Sequence, residues 1–226
     1  MREGVWTQLR VDQGTEFVLT TFIQDCLAEY RPEQNCAPWV ATSSVHNLRI
    51  ERIWPEVNQR VNYPLKRVVV AMHEQGLIHM QDDVEKFCVS MVLIKVARIG
   101  VQRFMSSWNN HHMRASIGRP GATGTPEQCF QQNNRVASLM HVHVPTTEEL
   151  VHLYQQRGGR IESSGRFGWD PIGDDMQLVH ERQRRLELNF PSYEECFNSA
   201  VRGDNQPLQQ TIIGCIRITF NIVNTL

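Results

Sequence analysis

A β-prone run from Trp6 to Val11 stops at the turn Asp12-Gln13-Gly14, and apolar residues at helical spacing (Val18, Phe22, Ile23, Cys26, Tyr30) begin straight afterwards. This order constrains the fold more than any other feature of the chain. A strand that hands directly to an amphipathic helix has to lay that helix on a sheet face. The segment 31–38 reads as a loop by its Pro and Asn content, Trp39-Val40-Ala41-Thr42 as a short strand, and Ser43 or Ser44 can cap a further helix. The opening of the chain is therefore βαβα.

A helix is expected from about Val45 to Val61, because Ile50, Ile53, Trp54, Val57 and Val61 form a core-facing stripe at i, i+3, i+4, i+7 and i+11. At 100° per residue Glu51 lies on the shoulder of that stripe with Asn47, Asn58 and Asn62, and Arg49, Arg52 and Arg60 lie farther round the polar side. Pro55 falls inside this helix, lacks an N–H for the Glu51 carbonyl and crowds it, at a cost of about 3 kcal/mol in regular geometry. A kink near Glu51 is the expected consequence. The next helix, Leu65 to Gln75, closes at Gly76 as a left-handed cap, and Asp82 or Asp83 starts a long helix running toward Trp108. After a Gly-rich loop, Gly118 to Gly124, and Thr125-Pro126, the pattern weakens beyond Phe130, with helical pieces expected near Glu148–Gln156 and Met176–Leu188.

Two acids from different segments, Asp12 at a strand end and Glu51 on a helix, have 38 residues between them in the chain. Carboxylates so arranged can share cations in two-metal phosphoryl transfer, and hard oxygen donors suit Mg²⁺ or Mn²⁺. Around them lie Asp12-x-Gly14-Thr15-Glu16, His46-Asn47-x-Arg49-Ile50-Glu51-Arg52-x-Trp54, Trp108-Asn109-Asn110-His111 with Arg114, and Thr125-Pro126 with Gln128. In that order and spacing, over roughly residues 5–131, they resemble the catalytic core of the retroviral-integrase and DDE-transposase family. The resemblance implies a ribonuclease-H-like α/β fold, a transposon origin and DNA as partner. Asp12 and Glu51 would be catalytic and metal-binding, and Asn47, Arg49 and Arg52 would support them or face nucleic acid. The family uses three acids, the first on a strand well upstream of the second. Only eleven residues precede Asp12, so an incomplete site lacking the residue that bridges both metals is expected.

The domain expectation is a core remnant over residues 1–131, without its first strands, followed by a C-terminal extension over 132–226 that is mostly irregular or helical. Without its central strands such a core should be marginal, self-associating, or completed by a partner. Three functions compete: a catalytically incomplete DNA-binding integrase core, a fragment of an active metal-dependent DNA integrase or transposase, and a domesticated, non-catalytic protein-interaction module.

Other features narrow the field. Net charge is −1, far from the basic stripe of a dedicated nucleic-acid module. The six cysteines are widely spaced with no Cys-x-x-Cys, which argues against a zinc ribbon or disulfide scaffold and fits an intracellular, reducing setting, nuclear for a DNA-acting protein. The longest apolar run, Ile212 to Val223, is interrupted by Arg217 and too short to span a bilayer. His111-His112 and His141-x-His143 read as polar surface rather than metal ligands, Trp54 and Trp108 as core anchors, and the Arg182, Arg184, Arg185 cluster as a solvated helix face.

Overall fold

The computed structural model describes residues 5–12, 14–42, 51, 53–113, 124–133, 144–161 and 169–225. The chain is mostly helical, with one two-stranded parallel sheet among the described residues. It forms two compact units, each assembled from two stretches of sequence: Met1–Arg52 with Met113–Glu162, and Ile53–His112 with Ser163–Leu226. A boundary at residue 131 follows chain order, whereas contacts return the chain from one unit to the other and back.

In the sheet-bearing unit, β1 (Leu9–Val11) runs parallel to β2 (Trp39–Ala41), with Leu9 opposite Trp39 and Val11 opposite Ala41. Parallel strands need a crossover, and α1 (Val18–Cys26) supplies it, as the spacing of Val18, Phe22 and Cys26 requires. The strands are three residues each, and buried apolar side chains in this unit amount to Val11, Leu27 and Leu150 among those described. Polar side chains compensate. Gln24, 4% exposed, donates from Nε2 to the carbonyls of Trp6 (2.8 Å) and Pro38 (3.2 Å). Arg31, 7% exposed, donates to the carbonyls of Thr7 (2.7 Å), Cys36 (3.0 Å) and Ala28 (3.1 Å). Between them they tie the approaches to both strands.

Two further helices belong to this unit. α5 (Pro126–Asn133) starts in a reciprocal cap, the Gln128 N–H donating to Thr125 Oγ1 (3.2 Å) and the Thr125 N–H to Gln128 Oε1 (3.0 Å). The Thr125-Pro126 and Gln128 motif thus has a local physical role. α6 (Thr147–Gln156) is opened by the same device at Thr146 and Glu149 and meets α1 through an edge-on Phe22–Tyr154 pair at 5.2 Å.

The helical unit begins with α2 (Ile53–Val57), widens into a π turn over Asn58–Asn62 and continues as α3 (Tyr63–Glu74). Helical geometry passes through Pro55. The departure from α geometry comes instead just before Pro64, which lacks the N–H that would reach the Arg60 carbonyl; a wider turn accommodates that loss. The buried face of this run is Val57, Val61, Leu65, Val68 and Met72. Trp54, expected in the core, is 57% exposed: the expected stripe is a uniform-helix extrapolation, and among its described residues burial begins at Val57. Gly76 adopts φ +66°, the left-handed cap expected, with the Leu77 N–H returning to the Met72 carbonyl at 2.9 Å. Asp82 caps α4 (Asp83–Asn110) by accepting the Glu85 N–H at 2.9 Å.

α7 (Met176–Asn189) matches expectation, and α8 (Tyr193–Arg202) and α9 (Gln206–Val223) follow where no helix was expected. These three belong to the core of the helical unit. Leu186, Cys196, Phe197, Ala200, Leu208, Ile212, Cys215 and Ile216 join Val61, Leu65, Val68, Met72, Cys88, Val89, Val92 and Val96 in one core. Arg182 also departs from the solvated face expected of it. Its side chain is 3% exposed, pairs bidentately with Asp170 and lies over the Phe87 ring at 5.2 Å, while Arg184 and Arg185 stay exposed on Glu181.

Candidate functional site

Asp12 follows β1 directly and is half-buried. The Thr42 N–H donates to the Val11 carbonyl at 2.9 Å, so the parallel register persists to the residue beside Asp12, and both strands deliver the chain to the same, carboxyl end of the sheet. In open α/β sheets that end is where ligands collect. Asp12 Oδ1 accepts the Gly14 N–H at 3.3 Å, which fixes the turn and leaves Oδ2 outside that bond. The carboxylate is thus held on a strand end by its own turn, upstream of which Gln24 and Arg31 position the strand.

Glu51 is helical, half-buried and in the same compact unit as Asp12. Asn47, Arg49 and Arg52 lie outside the described residues, as do His141 and His143. Among the described residues no three His, Cys, Asp or Glu side chains gather into a group able to hold a metal ion. Integrase-type cores generally depend on Mg²⁺ or Mn²⁺; the described part of this chain offers two candidate acids and no complete cage, so its geometry supports no step through a metal. His111 and His112 are exposed, the His111 ring lying 4.9 Å from Trp108, itself half-buried and stacked on Phe104 at 5.6 Å. All six cysteines are free thiols. In the helical core Cys88 Sγ donates to Thr219 Oγ1 at 3.3 Å, and burial drives the Cys196 thiol upward although its contact with Thr211 opposes the shift. Among the described residues no helix is long and apolar enough to cross a membrane.

A feature absent from the sequence reading lies in the helical unit. The π turn, the start of α3, α4 and α8 enclose a cleft of about 840 Å³ whose wall carries Arg60, Arg67 and Arg103 beside Tyr63, Phe104 and Phe197, and no carboxylate. Arg60 and Arg67, two helical turns apart, were a legible signal; Arg103 comes from another helix, and only packing brings it near.

Similarity to known proteins bears on the first site. A sequence model of the integrase core domain matches residues 1–147, a longer stretch than the motifs delimit. No curated protein and no solved structure matches the chain. The match takes in β1, β2, α1 to α5 and both acids, and it ends before α7, α8 and α9. The chain belongs to the integrase core domain family.

Proposed function

We propose that this protein is a DNA-binding integrase core of transposable-element origin, built on a ribonuclease-H-like plan. Asp12 and Glu51 are the catalytic-site acids and the ligands of Mg²⁺ or Mn²⁺, and Asn47, Arg49 and Arg52 face the nucleic acid. The observation that carries this is the position of Asp12 at the carboxyl end of a parallel β1–α1–β2 unit, inside the stretch that matches the family. With two acids rather than three, these 226 residues bind DNA without transferring strands. The assay is Mg²⁺- or Mn²⁺-dependent nicking and strand transfer on labelled duplex. Background turnover is expected; robust turnover abolished by Asp12→Asn would overturn the incompleteness.

DNA binding is tested separately by its salt dependence, because phosphate contacts make log K fall steeply with log salt. A flat response would favour the protein-interaction module instead. A second reading has an observation of its own: among the described residues β1 and β2 pair only with each other, so each keeps an edge that another strand can take. Strands supplied by a longer chain, a second copy or a partner would complete the sheet, and with it the acid set. Light scattering across a concentration series decides the second copy: a constant monomer mass counts against it.

A further inference from the structure

We propose that the arginine-walled cleft of the helical unit is a binding site for a small ligand that joins a planar ring to a phosphate group. Its volume, about 840 Å³, lies within the range of sites that enclose small molecules, roughly 300–1,000 Å³. Phe104 and Phe197, both 7% exposed, and Val61, 1% exposed, give it an apolar floor. Tyr63 stands at the opening, 60% exposed. A ring has faces to stack on here, and three guanidinium groups face the same space.

The arginines are not equivalent. Arg60 is engaged by Glu56, Nε to Oε2 at 3.0 Å. Arg103 is held by Asn198 and Glu194 and lies over the Phe197 ring at 5.8 Å, so its fork is preset against the floor. Arg67 donates to the Ala200 carbonyl at 3.0 Å, a neutral acceptor, and so keeps its full positive charge for a ligand. Glu56 and Glu194 offset two of the three charges from outside the lining, leaving an excess of one positive charge at the cleft. A guanidinium fork matches phosphate geometry in two parallel hydrogen bonds, which a planar ring alone would not use.

Two backbone features shape the cleft. The π turn carries three consecutive lining residues, Gln59, Arg60 and Val61, and such turns recur at functional sites. Gly100 sits mid-way along α4, where Gly is disfavoured relative to Ala by about 1 kcal/mol. A β-carbon there would collide with the Phe197 ring and come within 2.9 Å of Val61 Cγ1. The bare backbone at Gly100 is therefore what lets α8 and the π turn close over α4 to make the floor. None of these residues belongs to the acidic pair, and the site is independent of DNA strand transfer.

Calorimetric titration of the full chain with adenosine 5′-monophosphate, with inorganic phosphate and adenosine as half-ligands, tests the site. Saturable one-to-one binding of the nucleotide is expected, with each half binding at least tenfold more weakly. Arg67→Gln, an exposed position, should weaken the nucleotide about tenfold, the scale of one charged hydrogen bond, while the helical content stays that of the unsubstituted chain. Arg103→Gln should do the same and also reduce the preference over inorganic phosphate. Absence of saturable binding, or affinity untouched by both substitutions, would overturn the proposal. So would mole-for-mole displacement of the nucleotide by a short duplex that binds more tightly, since the arginines would then be reading a DNA backbone.

Discussion

The two units are held together by different means. The helical unit buries a continuous apolar core drawn from the π turn, α3, α4 and α7 to α9, with Val68, Met72, Val92, Leu208, Ile212 and Cys215 all at 0% exposure. The sheet-bearing unit, which carries Asp12 and Glu51, buries few apolar side chains among its described residues and relies on Gln24 and Arg31 to hold strand approaches by their carbonyls. Burial scales with apolar area and tolerates small shifts, whereas side-chain bonds to backbone carbonyls are directional and few. The candidate site thus stands on the part of the molecule whose geometry depends on individual hydrogen bonds, and the scaffold strength lies elsewhere.

The largest expected effect tests the ion pair between buried Arg182 and Asp170 in the helical unit. Asp170→Ala leaves Arg182 charged, enclosed and unpaired, and should cost about 3–5 kcal/mol in denaturant unfolding of the full chain. A loss under 1 kcal/mol would mean that Arg182 reaches water. Leu208→Ala, which empties a fully buried position on α9, should cost about 2–5 kcal/mol. Its effect should show as faster amide exchange in α4 and α9, the sign that the C-terminal helices are structural partners of the matched region. Unchanged exchange in α4 would break that link.

Arg31→Met applies the same question to the sheet-bearing unit. It strips donors from the carbonyls of Thr7, Cys36 and Ala28, and should cost about 1.5–3 kcal/mol, with exchange rising over residues 5–42 more than over 53–110. A uniform rise would erase the contrast between the units. The smallest effect is on the exposed face of α7, where hydrogen bonds from Arg184 and then Arg185 hold the Glu181 carboxyl down to about 2, from an ordinary value of 4.5. The depressed value makes this contribution complete above pH 4.5 and lost as pH falls toward 2. Replacing both arginines with Gln should flatten the acid limb of the stability profile slightly, since solvent screens such pairs.

The elements that follow local rules were readable from sequence. β1, α1 and β2, the Gly76 cap and the Asp82 cap each follow from a few neighbouring residues. Trp54 was misjudged because a helical stripe assumes constant pitch and one buried face, and the π turn at Asn58–Asn62 with Pro64 behind it violates the first. α8 and α9 escaped because their partners, α3 and α4, lie far earlier in sequence, 91 residues back at the Arg103–Glu194 pair and 133 at the Arg67–Ala200 bond. The burial of Gln24 and Arg31 could not be foreseen, since it depends on carbonyls outside the two short strands, chiefly in the segments leading into them. The family was legible through motifs spread over much of the chain. The cleft was not, because Arg67 and Arg103 line one space only when α8 and the π turn pack on α3 and α4.

The central claim is that Asp12 and Glu51 serve one ion-binding site, and Mn²⁺ titration followed by electron paramagnetic resonance addresses it directly. The account predicts a single weak Mn²⁺ site whose occupancy is lost in Asp12→Asn and equally in Glu51→Gln, with the fold intact in both. Mn²⁺ binding that survives either substitution, or that is abolished by one and untouched by the other, would contradict it.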